Sequence, residues 1–127
     1  MIPNPVSHAM TKSATDLIAE AKAQIPEITV QELRARQARG ERFVLLDVRD
    51  QPEVNLGKIP GALHISRGTL EGKVEAVIPR DADIVIYCAS GNRSALAAVT
   101  LCAMGYATVA SLAGGIREWA YSGGDID

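Results

Sequence analysis

The chain has 127 residues, 47% of them hydrophobic, with thirteen Lys and Arg against fifteen Asp and Glu for a net charge of -2. A domain of that length buries roughly two-thirds of the surface its unfolded chain exposes, which excludes a disulfide-propped miniprotein, and the apolar content excludes a disordered chain. The charge balance excludes the broad basic field that draws nucleic acid or an anionic membrane, so neither partner is expected and any anion site has to be local.

The first ten residues carry two prolines, an Asn and a Ser with no periodicity and read as a loose leader. Ser13 followed three residues later by Asp16 reads as a capping box. Ala14, Leu17, Ile18, Ala21 and Ile25 then recur at helical spacing until Pro26, which predicts an amphipathic helix over about 14–25. Thr29 with Glu32 repeats the capping signature, and Gly40 after the basic turn from Arg34 to Arg39 closes a second helix over about Val30 to Ala38. Here the period changes. Phe43-Val44-Leu45-Leu46 is a short continuous apolar run ending in Asp47, the pattern of a strand buried on both faces. Ala62 to Ile65 is a weaker strand candidate, entered through Pro60-Gly61. Leu70, Val74, Val77 and Ile78 line one face of a helix that Pro79 ends. Ile84-Val85-Ile86-Tyr87 is the clearest strand and runs straight into Cys88-Ala89-Ser90-Gly91-Asn92-Arg93, after which Ser94 opens an Ala-rich helix closed by Gly105. Thr108 to Leu112 is a further strand, and Gly114-Gly115 leads into a last helix carrying Trp119.

Strands alternating with helices predict an α/β fold, a parallel sheet covered by helices on both faces, because parallel strands need crossovers. Ligands of such sheets bind outside the carboxyl ends of the strands, which selects Asp47 and Cys88. Two cysteines make no disulfide framework, and the N-terminus has no long apolar stretch of the secretory kind. Ile84 to Ala89 falls far short of the ~20 residues a membrane span needs. A cytoplasmic location with reduced thiols is expected.

A cysteine at the end of a buried strand, followed by small residues and a helix, sits in a nest of backbone N–H groups that favours thiolate over thiol. Gly91 lets the backbone curl, Asn92 tolerates the left-handed region, and Ser94 can cap the helix or donate to a bound anion. Arg93, just before a helix N-terminus, opposes the macrodipole and so implies an anion between them. Neither His8 nor His64 is close to Cys88 in sequence, no metal-ligand spacing appears, and no metal is expected. Asp47 and Arg49 are expected to order the fold rather than react, Trp119 to plug the core, and Lys58 to be solvated. Cys102, flanked by Leu101 and Ala103 with no charge nearby, is expected in the core.

Asp47-Val48-Arg49, Gly57-Lys58-Ile59-Pro60-Gly61-Ala62, Tyr87 through Ala95, and Leu112-Ala113-Gly114-Gly115 with Trp119 resemble, in this order, the motifs of a single-domain rhodanese, a sulfurtransferase. Lys58 stands where a histidine is common. The resemblance covers about Ile28 to Gly123. It implies about five parallel strands, a division into a leader with an extra N-terminal amphipathic helix over 1–27, and a rhodanese-like domain over 28–127. It also implies a persulfide enzyme that needs no external cofactor. Cys88 would be the nucleophile that takes sulfane sulfur from thiosulfate or a similar small donor and passes it to cyanide, a thiol or an acceptor protein. Ala89, Ser90, Gly91, Asn92, Arg93 and Ser94 would form the substrate-binding cradle, in a monomer or homodimer. Four residues separate Cys88 from Arg93, one fewer than in the cell-cycle phosphatases this pattern also resembles, and the tighter ring suits sulfur better than phosphoryl oxygens. Two alternatives stand beside this one: a phosphatase or arsenate reductase using the same Cys and Arg loop, and a non-enzymatic sulfur carrier or sensing module.

Overall fold

The computed structural model describes residues 11–127; the leader reading and His8 lie outside the described residues. In chain order the elements are α1 (Ala14–Gln24), β1 (Glu27–Ile28), α2 (Val30–Ala38), β2 (Val44–Asp47), α3 (Gln51–Asn55) and β3 (Leu63–His64). A 3-10 turn (Arg67–Thr69) then leads into α4 (Leu70–Val77), β4 (Asp83–Tyr87), α5 (Asn92–Ala103), β5 (Thr108–Leu112) and α6 (Gly115–Tyr121). The five strands pair in parallel in the order β1-β5-β4-β2-β3, with β4 at the centre. This is the expected α/β architecture. No helix among the described residues is long and apolar enough to cross a membrane.

The period of two along β4 builds both halves of the core. Ile84, Ile86 and Cys88 face one apolar cluster, which receives Ala21 and Ile25 from α1 and its end, Leu70 and Val74 from α4, and Ala97 and Leu101 from α5. Val85 and Tyr87 face the other, shared with Val30 and Leu33 of α2, Leu45, Leu112 and Trp119. The buried residues of β4 therefore meet helices on both faces, as a doubly covered parallel sheet requires. Trp119 is the expected core plug: it is buried, and its indole N–H donates to the Asp125 carbonyl at 2.8 Å.

Helix α1 begins where its capping box predicts, with the Asp16 N–H donating to Ser13 Oγ at 3.1 Å and the Ser13 N–H to the Asp16 carboxylate at 3.0 Å. Three features depart from the sequence reading. The edge strand β1 was not anticipated, because two residues carry no period. It exists through its partner β5: the Ser111 N–H donates to the Pro26 carbonyl at 3.0 Å and the Ala113 N–H to that of Ile28 at 2.8 Å. The short α3 was also missed, although Asp50 with Glu53 three residues on and Pro52 in the first turn is a start signal of its own. Finally, α5 opens at Asn92, with Gly91 in the left-handed N-cap position at φ +102°. No residue other than glycine has positive φ among the described residues, so Gly91 makes the left-handed turn and Asn92 does not enter that region, and Ser94 lies inside the first helical turn rather than at its cap.

Candidate active site

Cys88 follows the last residue of the central strand, where the sheet order also brings the end of β2; the Val48 N–H donates to the Tyr87 carbonyl at 3.1 Å and holds the two strand ends together. At the end of β2, Asp47 is fully buried, and its carboxylate accepts from the Arg49 N–H at 2.9 Å and from the Arg49 guanidinium at 2.8 and 3.1 Å. The same guanidinium donates to the Gly57 carbonyl at 2.7 Å. A buried charge held this completely ties α3 and the turn after it to the sheet, the ordering role expected of the pair. The His64 Nε2–H donates to the Arg49 carbonyl at 2.6 Å, so that nitrogen is committed to the loop and does not serve as a base for Cys88.

The loop after Cys88 is a nest because its carbonyls are turned away. The Ile116 N–H donates to the Cys88 carbonyl at 2.9 Å and the Arg117 N–H to the Ala89 carbonyl at 3.1 Å, both from the start of α6. With those carbonyls drawn outward, the N–H groups further along the loop point in. The Gly91 N–H reaches Cys88 Sγ at 3.1 Å and the Ser94 N–H at 3.4 Å. Ser94 Oγ lies 3.4 Å from the sulfur and 2.8 Å from Ser111 Oγ, a buried relay reaching into β5. Burial pushes the Cys88 thiol up. The Ser94 hydroxyl and the N–H groups of Ser94, Gly91 and Ser90 outweigh it and hold the thiol below its ordinary value.

Arg93 departs from expectation in its partner. Its guanidinium forms a two-pronged ion pair with Glu53, Nη1 to Oε1 at 2.6 Å and Nη2 to Oε2 at 2.8 Å. The anion that its place beside the helix implied is therefore internal, delivered by α3. Glu53 was missed at the sequence level, and the signal that could have found it is the same Asp50-to-Glu53 capping pattern that marks α3. Ala89 lies at the half-buried mouth, whereas Ser90 and Asn92 are exposed. Lys58 is half-exposed and sits 3.9 Å from the Asp127 carboxylate, rather than simply solvated. Cys102 is exposed on α5 and not in the core: Leu101 takes the buried position and turns its neighbour outward.

The Arg93 hydrogen bonds, helped by the Asp50 backbone N–H, push the Glu53 carboxyl down to about 2 against the opposing effect of burial. A carboxyl lowered on folding stabilises the native state above its unfolded value of roughly 4.3, and that contribution disappears as pH falls toward about 2. Both side chains are about one-third exposed, so solvent screens the pair. Glu53→Gln is expected to cost about 1 kcal/mol at pH 7. The gap between variant and wild type should close between about pH 4.5 and 2 in thermal melts; a gap that persists unchanged at pH 2 would exclude the ion pair as its source.

A family model described as a rhodanese-like domain matches residues 29–122. Over 99 residues the chain is 39% identical to a sulfurtransferase of Allochromatium vinosum, covering 78% of this chain and 92% of that protein. Over 110 residues it is 34% identical to the thiosulfate:glutathione sulfurtransferase of Homo sapiens, covering 76% of this chain and 95% of that protein. Among solved structures it is similar, with a TM-score of 0.84, 34% identity and full coverage of both chains, to a Rhodopseudomonas palustris protein of unknown function described as a possible tyrosine phosphatase.

Proposed function

The chain belongs to the rhodanese-like domain family and is a sulfurtransferase of the rhodanese type, and from that premise we propose that Cys88 carries sulfane sulfur as a persulfide between a small donor such as thiosulfate and a nucleophilic acceptor. The Cys88 thiolate attacks the outer sulfur of thiosulfate. A sulfur–sulfur bond forms to Cys88, the donor's own sulfur–sulfur bond breaks, and sulfite departs with its electron pair. Cyanide or a thiolate then attacks the terminal sulfur of the persulfide, taking it as thiocyanate or as a new persulfide and returning the Cys88 thiolate. The N–H groups of the loop from Ala89 to Ser94 hold the negative sulfur throughout, with charge arriving where donors already point. The observation that carries this reading is the convergence of the Gly91 and Ser94 N–H groups and the Ser94 hydroxyl on Cys88 Sγ. We assign residues 28–127 to the transfer domain, with the leader and α1 preceding it. The two free thiols support a reducing, cytoplasmic setting.

The description of the Rhodopseudomonas palustris protein brings forward the phosphatase alternative. Two observations weigh against it here: the short loop, and the commitment of Arg93, the residue that would clamp a transferring phosphoryl group, to Glu53. Intact mass after thiosulfate is expected to rise by about 32 Da, one sulfur, and to return on adding cyanide or a thiol. Cys88-dependent hydrolysis of an aryl phosphate without any sulfur adduct would reverse the choice.

A further inference from the structure

The ion pair with Glu53 cancels the charge of Arg93 beside the cysteine loop. A cavity of about 410 Å³ opens beside the loop, and Ala89, the residue next to the nucleophile, forms part of its wall. Three charged residues line it. Arg49 is paired with buried Asp47, and Glu53 is paired with Arg93, so the charges of both are cancelled. The third, Arg117, is exposed, and among the described residues its guanidinium has neither an ion pair nor a hydrogen bond. Its backbone N–H holds the Ala89 carbonyl at 3.1 Å, which fixes its position relative to the loop. Much of the remaining wall is apolar, with Leu56, Ile116 and Ile126 among its members. A lone cation on a wall of low polarisability acts on an approaching anion with less screening than one in open water.

We infer that Arg117 is the specificity-determining residue that recognises the anionic end of the molecule delivered to Cys88; under the sulfur-transfer reading, on which the identity of that molecule rests, this is the sulfonate of the donor. The net charge of -2 makes this a local preference rather than a property of the whole surface. Thiosulfate and other small sulfane donors bearing a sulfonate or carboxylate are the class it selects.

The test compares alkylation of Cys88 by iodoacetate and iodoacetamide, which differ in charge and both displace iodide to form a thioether. Rates are read separately for each cysteine by peptide mass. Exposed Cys102 serves as an internal reference. Arg117→Ala is expected to lower the iodoacetate-to-iodoacetamide rate ratio at Cys88 about five- to tenfold while leaving the ratio at Cys102 unchanged, an effect that weakens in high salt. Arg117→Lys should retain most of the ratio, and Arg117→Ala should raise the KM for thiosulfate with kcat nearly unchanged. An unchanged ratio at Cys88 in Arg117→Ala overturns the inference, as does an equal fall at Cys102. Neither alkylation result depends on sulfur transfer. Absence of a thiosulfate adduct on the wild-type protein would sink the transfer reading separately, and would leave a lowered ratio standing as anion recognition.

Discussion

Cys88→Ser is expected to abolish sulfur transfer, with turnover falling roughly a thousandfold or more to background and no adduct of about 32 Da after thiosulfate. A serine hydroxyl is not ionised near neutral pH even with the Gly91 and Ser94 N–H groups aimed at it, and its oxygen forms no persulfide. The fold should hardly notice. Serine occupies nearly the same volume, its oxygen accepts the Gly91 N–H in place of the sulfur, and its hydroxyl joins the Ser94 and Ser111 pair, so stability should change by no more than about 1 kcal/mol. Intact mass with thermal denaturation reads both halves of this result. A sulfur adduct persisting on Cys88→Ser would move the reaction to Cys102. In the wild-type protein, the thiolate-dependent alkylation rate at Cys88 should reach half its maximum below the usual thiol value. The Ser94 hydroxyl and the loop N–H groups together overcome the upward push of burial.

Gly115→Ala carries the largest expected structural effect. A Cβ at this position would lie 2.5 Å from the Cys88 carbonyl oxygen and 2.6 Å from the carbonyl carbon and oxygen of Ala89, at a φ of +59°. Those atoms are backbone and cannot swing aside as the end of a side chain could. They are also the acceptors that the Ile116 and Arg117 N–H groups draw outward, so relieving the clash means releasing the carbonyls whose orientation makes the nest. We expect a loss of roughly 3–5 kcal/mol together with loss of the fast-reacting thiol, more than the left-handed backbone alone would cost. Gly40→Ala separates the two causes. Gly40 has a similar φ of +68° with no atom within 4 Å of the added carbon, so only the conformational cost of about 1 kcal/mol applies there. Equal losses for the two variants in denaturant titrations would refute the contact between α6 and the cysteine loop.

Several structural features were readable residue by residue. The continuous run before Tyr87 marks a strand covered on both faces, the Ser13 and Asp16 pair marks the start of α1, and Gly105 marks the end of α5, because each signal lies within a few residues of the feature it reports. The elements that escaped are those whose stability comes from elsewhere. Strand β1 has two residues and exists because β5 offers it a parallel edge. The exposure of Cys102 depends on which side of α5 faces the sheet, and small alanines on that helix leave little contrast to locate its buried face from sequence. Of the two roles the sequence allowed Ser94, cap or donor, the structure leaves the cap to Gly91 and puts the Ser94 hydroxyl against the Cys88 sulfur and Ser111, which stands on another strand.

The chain alone determined the class of the fold and the place of Cys88 and its loop between a buried strand and a helix, because periodicity and a strand-cysteine-glycine-helix succession are local properties of consecutive residues. Only the tertiary structure decided the electrostatics of that site. Glu53, forty residues before Arg93, cancels its charge; Ser111, seventeen residues after Ser94, completes the relay behind the sulfur; and Gly115 permits the close approach that turns the loop carbonyls outward. The net charge of -2 excluded a general attraction for anions. Which arginines beside the cysteine loop have their charge cancelled was settled by contacts in the folded chain, since an ion pair depends on separation in space and not along the sequence.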